Sequence, residues 1–151
     1  MNVVEVETGK RIKASILPLN GGGRKLPKSL FAFDWTREDL YEVYNLQIVA
    51  TEELVGLVSA IDFPEEYRIH INLLEVSREN VGSKKQYRNI AGCLLAYCCR
   101  LSFERGYDGF VSLIPKTQLV RHYQEKYGFE QFGRQLAVYS TTSEHLIQRY
   151  L

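Results

Sequence analysis

Cysteine is scarce in this chain, and what there is sits together. Cys93, Cys98 and Cys99 are the three that the sequence holds. They share one stretch of helical spacing and two of them are adjacent, which excludes a disulfide framework and reads as reduced core thiols. Long apolar runs are also missing. Nothing approaches the roughly 20 residues that span a bilayer, and "MNVVEVETGKRIK" lacks the apolar stretch of a secretory leader. A soluble, cytoplasmic protein is therefore expected. Neither GxxxxGKS nor GxGxxG occurs, so the two common nucleotide-binding loops are absent. Excess charge is lacking as well. Nineteen basic and eighteen acidic residues leave +1, which draws the whole chain neither to nucleic acid nor to an anionic membrane. Three scattered histidines and the clustered cysteines form no set with ligand spacing, so no metal is expected. There is no internal repeat and no low-complexity segment.

What is present is an ordinary globular composition, 45% hydrophobic and 25% charged over 151 residues. That length suits a single domain, 1–151, with its own core. "VVEVETGKRIKASILPL" reads as a short strand pair or one interrupted strand. "NGGGRKLPKS", residues 20–29, carries three glycines and a proline and is expected to be the most mobile loop. "WTREDLYE" reads as a short helix capped by Thr36, with Asp39 three positions on. Strands follow in "YEVYNLQIV", "ELVGLVSAIDF" and "YRIHINLLEV", separated by turns short enough for antiparallel hairpins. A helix is predicted from about Asn89 to Arg105, where Ile90, Leu94, Cys98 and Leu101 keep helical spacing and Gly106 fits the stop. Then come a strand in "YDGFVSLIP", a helix in "TQLVRHYQEKYG", a strand pair in "FEQFGRQLAVYS" and a last helix in "TSEHLIQRYL". The order predicts a mixed α/β sheet with helices packed on it. Its middle is a right-handed crossover from "HINLLEV" through the long helix to "GFVSLI".

The stretch "KKQYRNIAGCLLAYCC", residues 84–99, joins a basic, turn-like half to an apolar helix that starts without an ordinary Ser, Thr or Asp cap. Its loop brings backbone N–H groups to a helix N-terminus, and Lys84, Lys85 and Arg88 add positive charge. Such a place suits a phosphate or pyrophosphate; solvated loop charges are the plainer reading. "QYRNIAGCLL" resembles the acetyl-CoA-binding motif of the GNAT superfamily of N-acetyltransferases, which runs Gln or Arg, two residues, Gly, one residue, Gly or Ala, then the helix. Gln86 holds its first place, Ala91 its last small place, and Leu94 and Leu95 the apolar pair. Asn89 stands where the family has Gly, and Asn tolerates left-handed backbone. "LVRHYQEKYGFEQFG" resembles the family's Ile-x-x-Tyr-x-x-x-Gly-Phe segment, with Tyr123, Gly128 and Phe129 matched to its places. Lys116 replaces an Asn that often precedes this helix. The likeness covers roughly residues 42–140.

The resemblance implies a GNAT-like fold, a mostly antiparallel twisted sheet splayed between two central parallel strands with helices on both faces. It implies an N-acyltransferase that moves an acetyl or other acyl group from CoA directly to an amine. The acyl-CoA is expected along Leu74 and Val76 and around Lys84, Lys85, Gln86, Arg88, Asn89, Ile90, Ala91, Gly92 and Lys116. Tyr123 is implied as the general acid for the leaving thiolate; a core tyrosine is the other reading of its spacing. For the base, Glu75 is singled out, on a strand face with Ile69, Ile71 and Leu73 and opposite His70. Glu79 is the fallback. The connection from Val76 to Gln86 is longer than the family's. The region before the second strand is too short for its usual helix pair, so the acceptor wall is open or completed by a partner. The rival readings are a CoA-binding module without transfer and a protein-interaction module. The acceptor itself is not legible, tRNA included, and neither is the oligomeric state, a homodimer included.

Overall fold

Alternating apolar residues between Glu42 and Val76 build the centre of the sheet. In the computed structural model, which describes residues 1–19 and 26–151, they form β3 (Glu42–Ile48), β4 (Leu54–Phe63) and β5 (Arg68–Val76), joined as antiparallel hairpins. Most of the glycine loop expected to be mobile lies outside the described residues. β2 (Ala14–Pro18) flanks β3. β7 (Val111–Leu113), β8 (Glu130–Phe132) and β9 (Gln135–Val138) complete a seven-stranded sheet of order β2-β3-β4-β5-β7-β9-β8. Among the strands of the described residues only β5 and β7 run parallel. The helix α1 (Ile90–Glu104) makes the crossover between them. The N-terminus departs from the expected strand pair: β1 (Val4–Glu5) pairs with β6 (Tyr87–Arg88), two residues each, so the first residues brace the motif loop.

A β-bulge decides which side chains share a face. The β4–β5 register shifts between Ser59 and Ala60, which pair with Leu73 and Ile71, so Asn72 has no partner of its own. An extra residue flips the two-residue alternation. Ile69, Ile71, Leu74 and Val76 accordingly pack into the core under α1, while Leu73 packs against the second cluster of Phe31, Trp35, Val43 and Leu57. Glu75 follows Leu73 to that second face, and His70 lies there too. This corrects two expectations. Glu75 does not share a face with Ile69 and Ile71, and His70 is not opposite to it.

The three α-helices of the described residues serve the first face. Helix α2 (Val120–Tyr127) ends at Gly128 in left-handed backbone, and α3 (Ser140–Tyr150) packs on α1. The second face is covered by a 3-10 helix, Trp35–Leu40, in place of a helix pair. Its cap is Asp34, whose carboxylate accepts from Thr36 N–H, and not Thr36 itself. Cys93, Cys98 and Cys99 are buried in the core, where burial pushes the Cys93 thiol up to about 11.

Gly92 sets how closely α3 can approach. A Cβ there would stand 2.4–2.7 Å from three carbons of the buried Tyr150 ring, so Gly92→Ala must displace the ring. Overpacking of this kind costs about 1–3 kcal/mol. Thermal unfolding of the variant is expected to fall by several degrees; an unchanged midpoint would mean that Tyr150 is not held there.

Candidate functional site

Where β5 and β7 part, the sheet opens. They are paired only from Ile69↔Val111 to Ile71↔Leu113, while β5 runs on to Val76. Ser77 N–H donates to Val55 O at 2.9 Å. The antiparallel register then turns the peptide groups of Leu73 and Glu75 toward β4 and those of Leu74 and Val76 away from it. Past Leu113 no strand of the described residues meets them. Two of the residues expected along the cofactor thus offer N–H and C=O groups to a gap.

Beside that gap, α1 begins. Asn89 takes left-handed backbone, φ 72°, and provides no side-chain cap. Its Nδ2 donates instead to Asn2 O at 3.0 Å. The first main-chain bond of the helix runs from Cys93 N–H to Asn89 O, so the N–H groups of Ile90, Ala91 and Gly92 have no acceptor within the helix. Val76, Lys85, Arg88, Asn89, Ile90 and Ala91 line one cavity of about 80 Å³. Six of the expected residues are therefore brought together. Lys84, Gln86 and Lys116 are exposed outside it, and Gly92 serves packing under Tyr150.

Lys126 and Tyr127 of α2 and Asn80 join the same cavity, and these were missing from the sequence reading. Asn80 fixes the long connection: it is buried, donates to Ser77 Oγ and accepts from Tyr87 N–H. Residues 81–86 beyond it are exposed. The longer loop thus reaches into solvent. Lys126 is held below the usual lysine range by burial and by the charges of Lys85 and Arg149. Three cations and the unpaired N–H groups of Ile90 and Ala91 in one place form a donor set that fits a pyrophosphate.

Tyr123 is half-buried among Tyr127 and Phe129, with ring centroids 5.9 and 5.5 Å away. Burial raises its phenol, so it keeps its proton at neutral pH. Four residues separate it from Gly128, one more than the family's segment has, and Gln124 holds the matching place. One residue is about 100° of helix rotation, so the register by itself does not transfer the acid role.

Glu75 is a clamp. Its carboxylate accepts from Ala32 N–H (2.5 Å), Phe33 N–H (3.2 Å) and Trp35 Nε1 (2.9 Å), and the residue is 8% exposed. A carboxylate with three donors is poorly placed to take an amine's proton. It ties residues 32–35 onto the sheet, beside a cavity of about 620 Å³ lined by Phe31, Phe33, Trp35, Lys28 and Arg78 among others. Glu79, the fallback base, is exposed and stands against Glu53, whose carboxyl is raised by burial and by that neighbour. Among the described residues no group of three His, Cys, Asp or Glu is arranged to hold a metal, and no helix is long and apolar enough to cross a membrane.

Glu75→Gln puts an NH₂ against N–H donors. It is expected to lower stability by about 1–3 kcal/mol and to shift the emission of Trp35, the chain's one tryptophan. Denaturant unfolding followed by fluorescence measures both. Full stability with lost turnover would instead return Glu75 to the chemistry.

No family model matches this chain, and a search of curated proteins finds no match. Solved structures do match. A spermidine N-acetyltransferase from Vibrio cholerae is 14% identical over 90% of this chain and 98% of its own, with a TM-score of 0.62. AtaTR bound with AcCoA is 11% identical over 88% and 97%, with a TM-score of 0.61. An IAA acetyltransferase from Bacillus cereus is 14% identical over 80% and 79%, with a TM-score of 0.57. At such identities the likeness is one of architecture, and by architecture the chain has the GNAT fold, its sheet parted between two parallel strands.

Proposed function

We propose that this protein is an acyltransferase that takes an acetyl or other acyl group from a CoA thioester and passes it to an amine. The observation that carries the reading is the single cavity in which the unpaired N–H groups of α1 meet Lys85, Arg88 and Lys126, next to the open edge of β5. A dinucleotide-like pyrophosphate needs such a donor set, and a pantetheine needs free peptide groups, which Leu74 and Val76 offer. The fold's likeness to AtaTR bound with AcCoA supports the same cofactor. When bound, the thioester supplies an activated acyl carbon.

The chain's own residues do the rest. Lys85, Arg88 and Lys126 neutralise the phosphates. The free peptide groups of Leu74 and Val76 on the β5 edge would hold the pantetheine. Tyr123, neutral and half-buried on the helix that follows β7, is assigned the proton for the departing sulfur. Glu75 shapes the second face without joining the chemistry, and the cavity beside it takes the acceptor.

Ala91 is half-buried in the wall of the small cavity. Ala91→Leu would fill that space and leave the core untouched, so acetyl-CoA binding should disappear in calorimetry while the unfolding midpoint holds. Unchanged affinity would remove the loop from the site. Acetyl-CoA binding without thiol release to any amine would favour a CoA-binding module.

Tyr123→Phe keeps the ring and removes only the donor. Turnover is expected to fall by about 10²-fold, in the range typical of general acids. The Michaelis constant for acetyl-CoA should stay near wild type, because the lost interaction belongs to the transition state. Wild-type rates would make Tyr123 core packing.

A further inference from the structure

We propose that a further cavity, on the second face at the paired end of β5 and β7, binds a small carboxylate with an aromatic body, its carboxylate held by Arg68. The proposal stands whether or not the chain transfers acyl groups. Glu66, Arg68, Phe110, Ser112, Phe132 and Gln135 are among the residues around a space of about 340 Å³. None of its lining residues is shared with the cavity at α1 or with the one beside Glu75. Its place follows from the register. Ser112 lies opposite His70 in the parallel pair, Arg68 stands one residue before that pair begins, and the sheet opens only past Ile71.

The guanidinium is fixed before any ligand arrives. The Arg68 side chain is 16% exposed. Its Nε donates to Glu66 Oε2 at 2.6 Å, and its Nη1 to Ser112 Oγ at 2.7 Å and Gln135 Oε1 at 3.4 Å. The guanidinium carbon lies 4.3 Å from the centre of the Phe63 ring. Ser112 accepts from Arg68 and so turns its own proton to His70 Nδ1, 2.8 Å away. Burial and the Arg68 charge hold His70 below the usual histidine range. Arg68 is the one cation among the lining residues.

What remains is an excess of donors. No group of the described residues accepts from Arg68 Nη2. That nitrogen is not enclosed either, since the enclosed unpaired atoms among the described residues are Asn45 Oδ1, Ser59 Oγ and Tyr150 Oη. Residues 20–25 hold no acidic side chain that could meet it. Gln135 gives its Oε1 to Arg68, which leaves its NH₂ as a second donor. Neighbouring donors without acceptors suit an acceptor-only group, and a carboxylate offers two oxygens in one plane. One cation with the Glu66 carboxylate beside it matches a single negative charge better than a doubly charged phosphate. Next to this polar floor stands an aromatic wall. Phe110 stacks on Tyr139 with centroids 5.7 Å apart, and Phe132, 52% exposed, lies 6.5 Å from Tyr139. A flat ring laid on that wall would cover it. Apolar walls with a few convergent polar groups are the usual make-up of a small-ligand pocket.

Calorimetry with sodium phenylacetate as the probe tests the site, with sodium acetate and benzyl alcohol as its two halves. Phenylacetate should bind the wild type, and each half should bind about tenfold more weakly or worse, because each forfeits one set of contacts. Phe132→Ala, at a half-exposed position on the edge strand β8, should weaken phenylacetate about fivefold. Glu66→Gln should tighten it about threefold, because Glu66, 56% exposed, competes for the same guanidinium. Arg68→Gln should abolish binding. No binding of phenylacetate by the wild type overturns the proposal, and so does acetate or benzyl alcohol binding as well as phenylacetate. Full affinity in Phe132→Ala or Arg68→Gln, or a Glu66→Gln variant that binds no tighter, overturns it too. If Arg68→Gln does not fold, the Phe132 and Glu66 variants decide.

Discussion

β5 and β7 keep hydrogen-bonded company for three residue pairs and then separate, and the rest of the molecule is arranged around that separation. A sheet parted in its middle leaves strand edges without partners, which folded proteins normally avoid. β5 can remain ordered past the parting because β4 pairs with it along its length and because α1 leans on the same hairpin. That approach is close. A Cβ on Gly56 would stand 2.7 Å from Ile90 and 2.9 Å from Leu94, so the first turns of α1 lie directly over β4. The peptide groups left open at Leu74 and Val76 and the open N-terminus of α1 thereby come to one place, as parts of one constraint.

The second face solves a different problem. It has a six-residue 3-10 helix where the long helices of the first face have no counterpart, so regular main-chain bonding cannot hold it down. One buried carboxylate substitutes. Glu75 gathers two backbone N–H groups and the Trp35 indole, and Trp35 in turn packs with Phe31, Val43 and Leu57. Charge-assisted bonds to a carboxylate are stronger than neutral ones, which suits a cover with little internal structure.

Much of this was legible in the sequence. The hairpin strands announced themselves by alternation, α1 by its spacing, α2 by Gly128, and the cofactor loop by basic residues at a helix without a cap. The faces were not legible, because Asn72 looks like any strand residue and only the pairing reveals the bulge that reverses His70 and Glu75. Glu75 looked like a base because its three donors lie forty or more positions upstream. Lys126 reaches the cavity from a helix that periodicity places but does not orient toward it. The pairing of β1 with β6 joins two-residue strands more than eighty positions apart, too short to leave any pattern.

The near-zero net charge conceals an opposition across β5. On the α1 face, Lys85, Lys126 and Arg149 crowd one another enough to depress a lysine, and no anion among the described residues pairs with Lys126 or Lys85. On the other face the buried carboxylates Glu38 and Glu75 accept from neutral donors, and among the described residues neither enters an ion pair. Like charges kept close and an opposite charge kept alone both cost stability, and a fold selected only for stability would bring them together or remove them. Here a strand and its bulge hold them apart on opposite sides of one opening. The crowded cations of the α1 side are the charge that an anionic phosphate would meet.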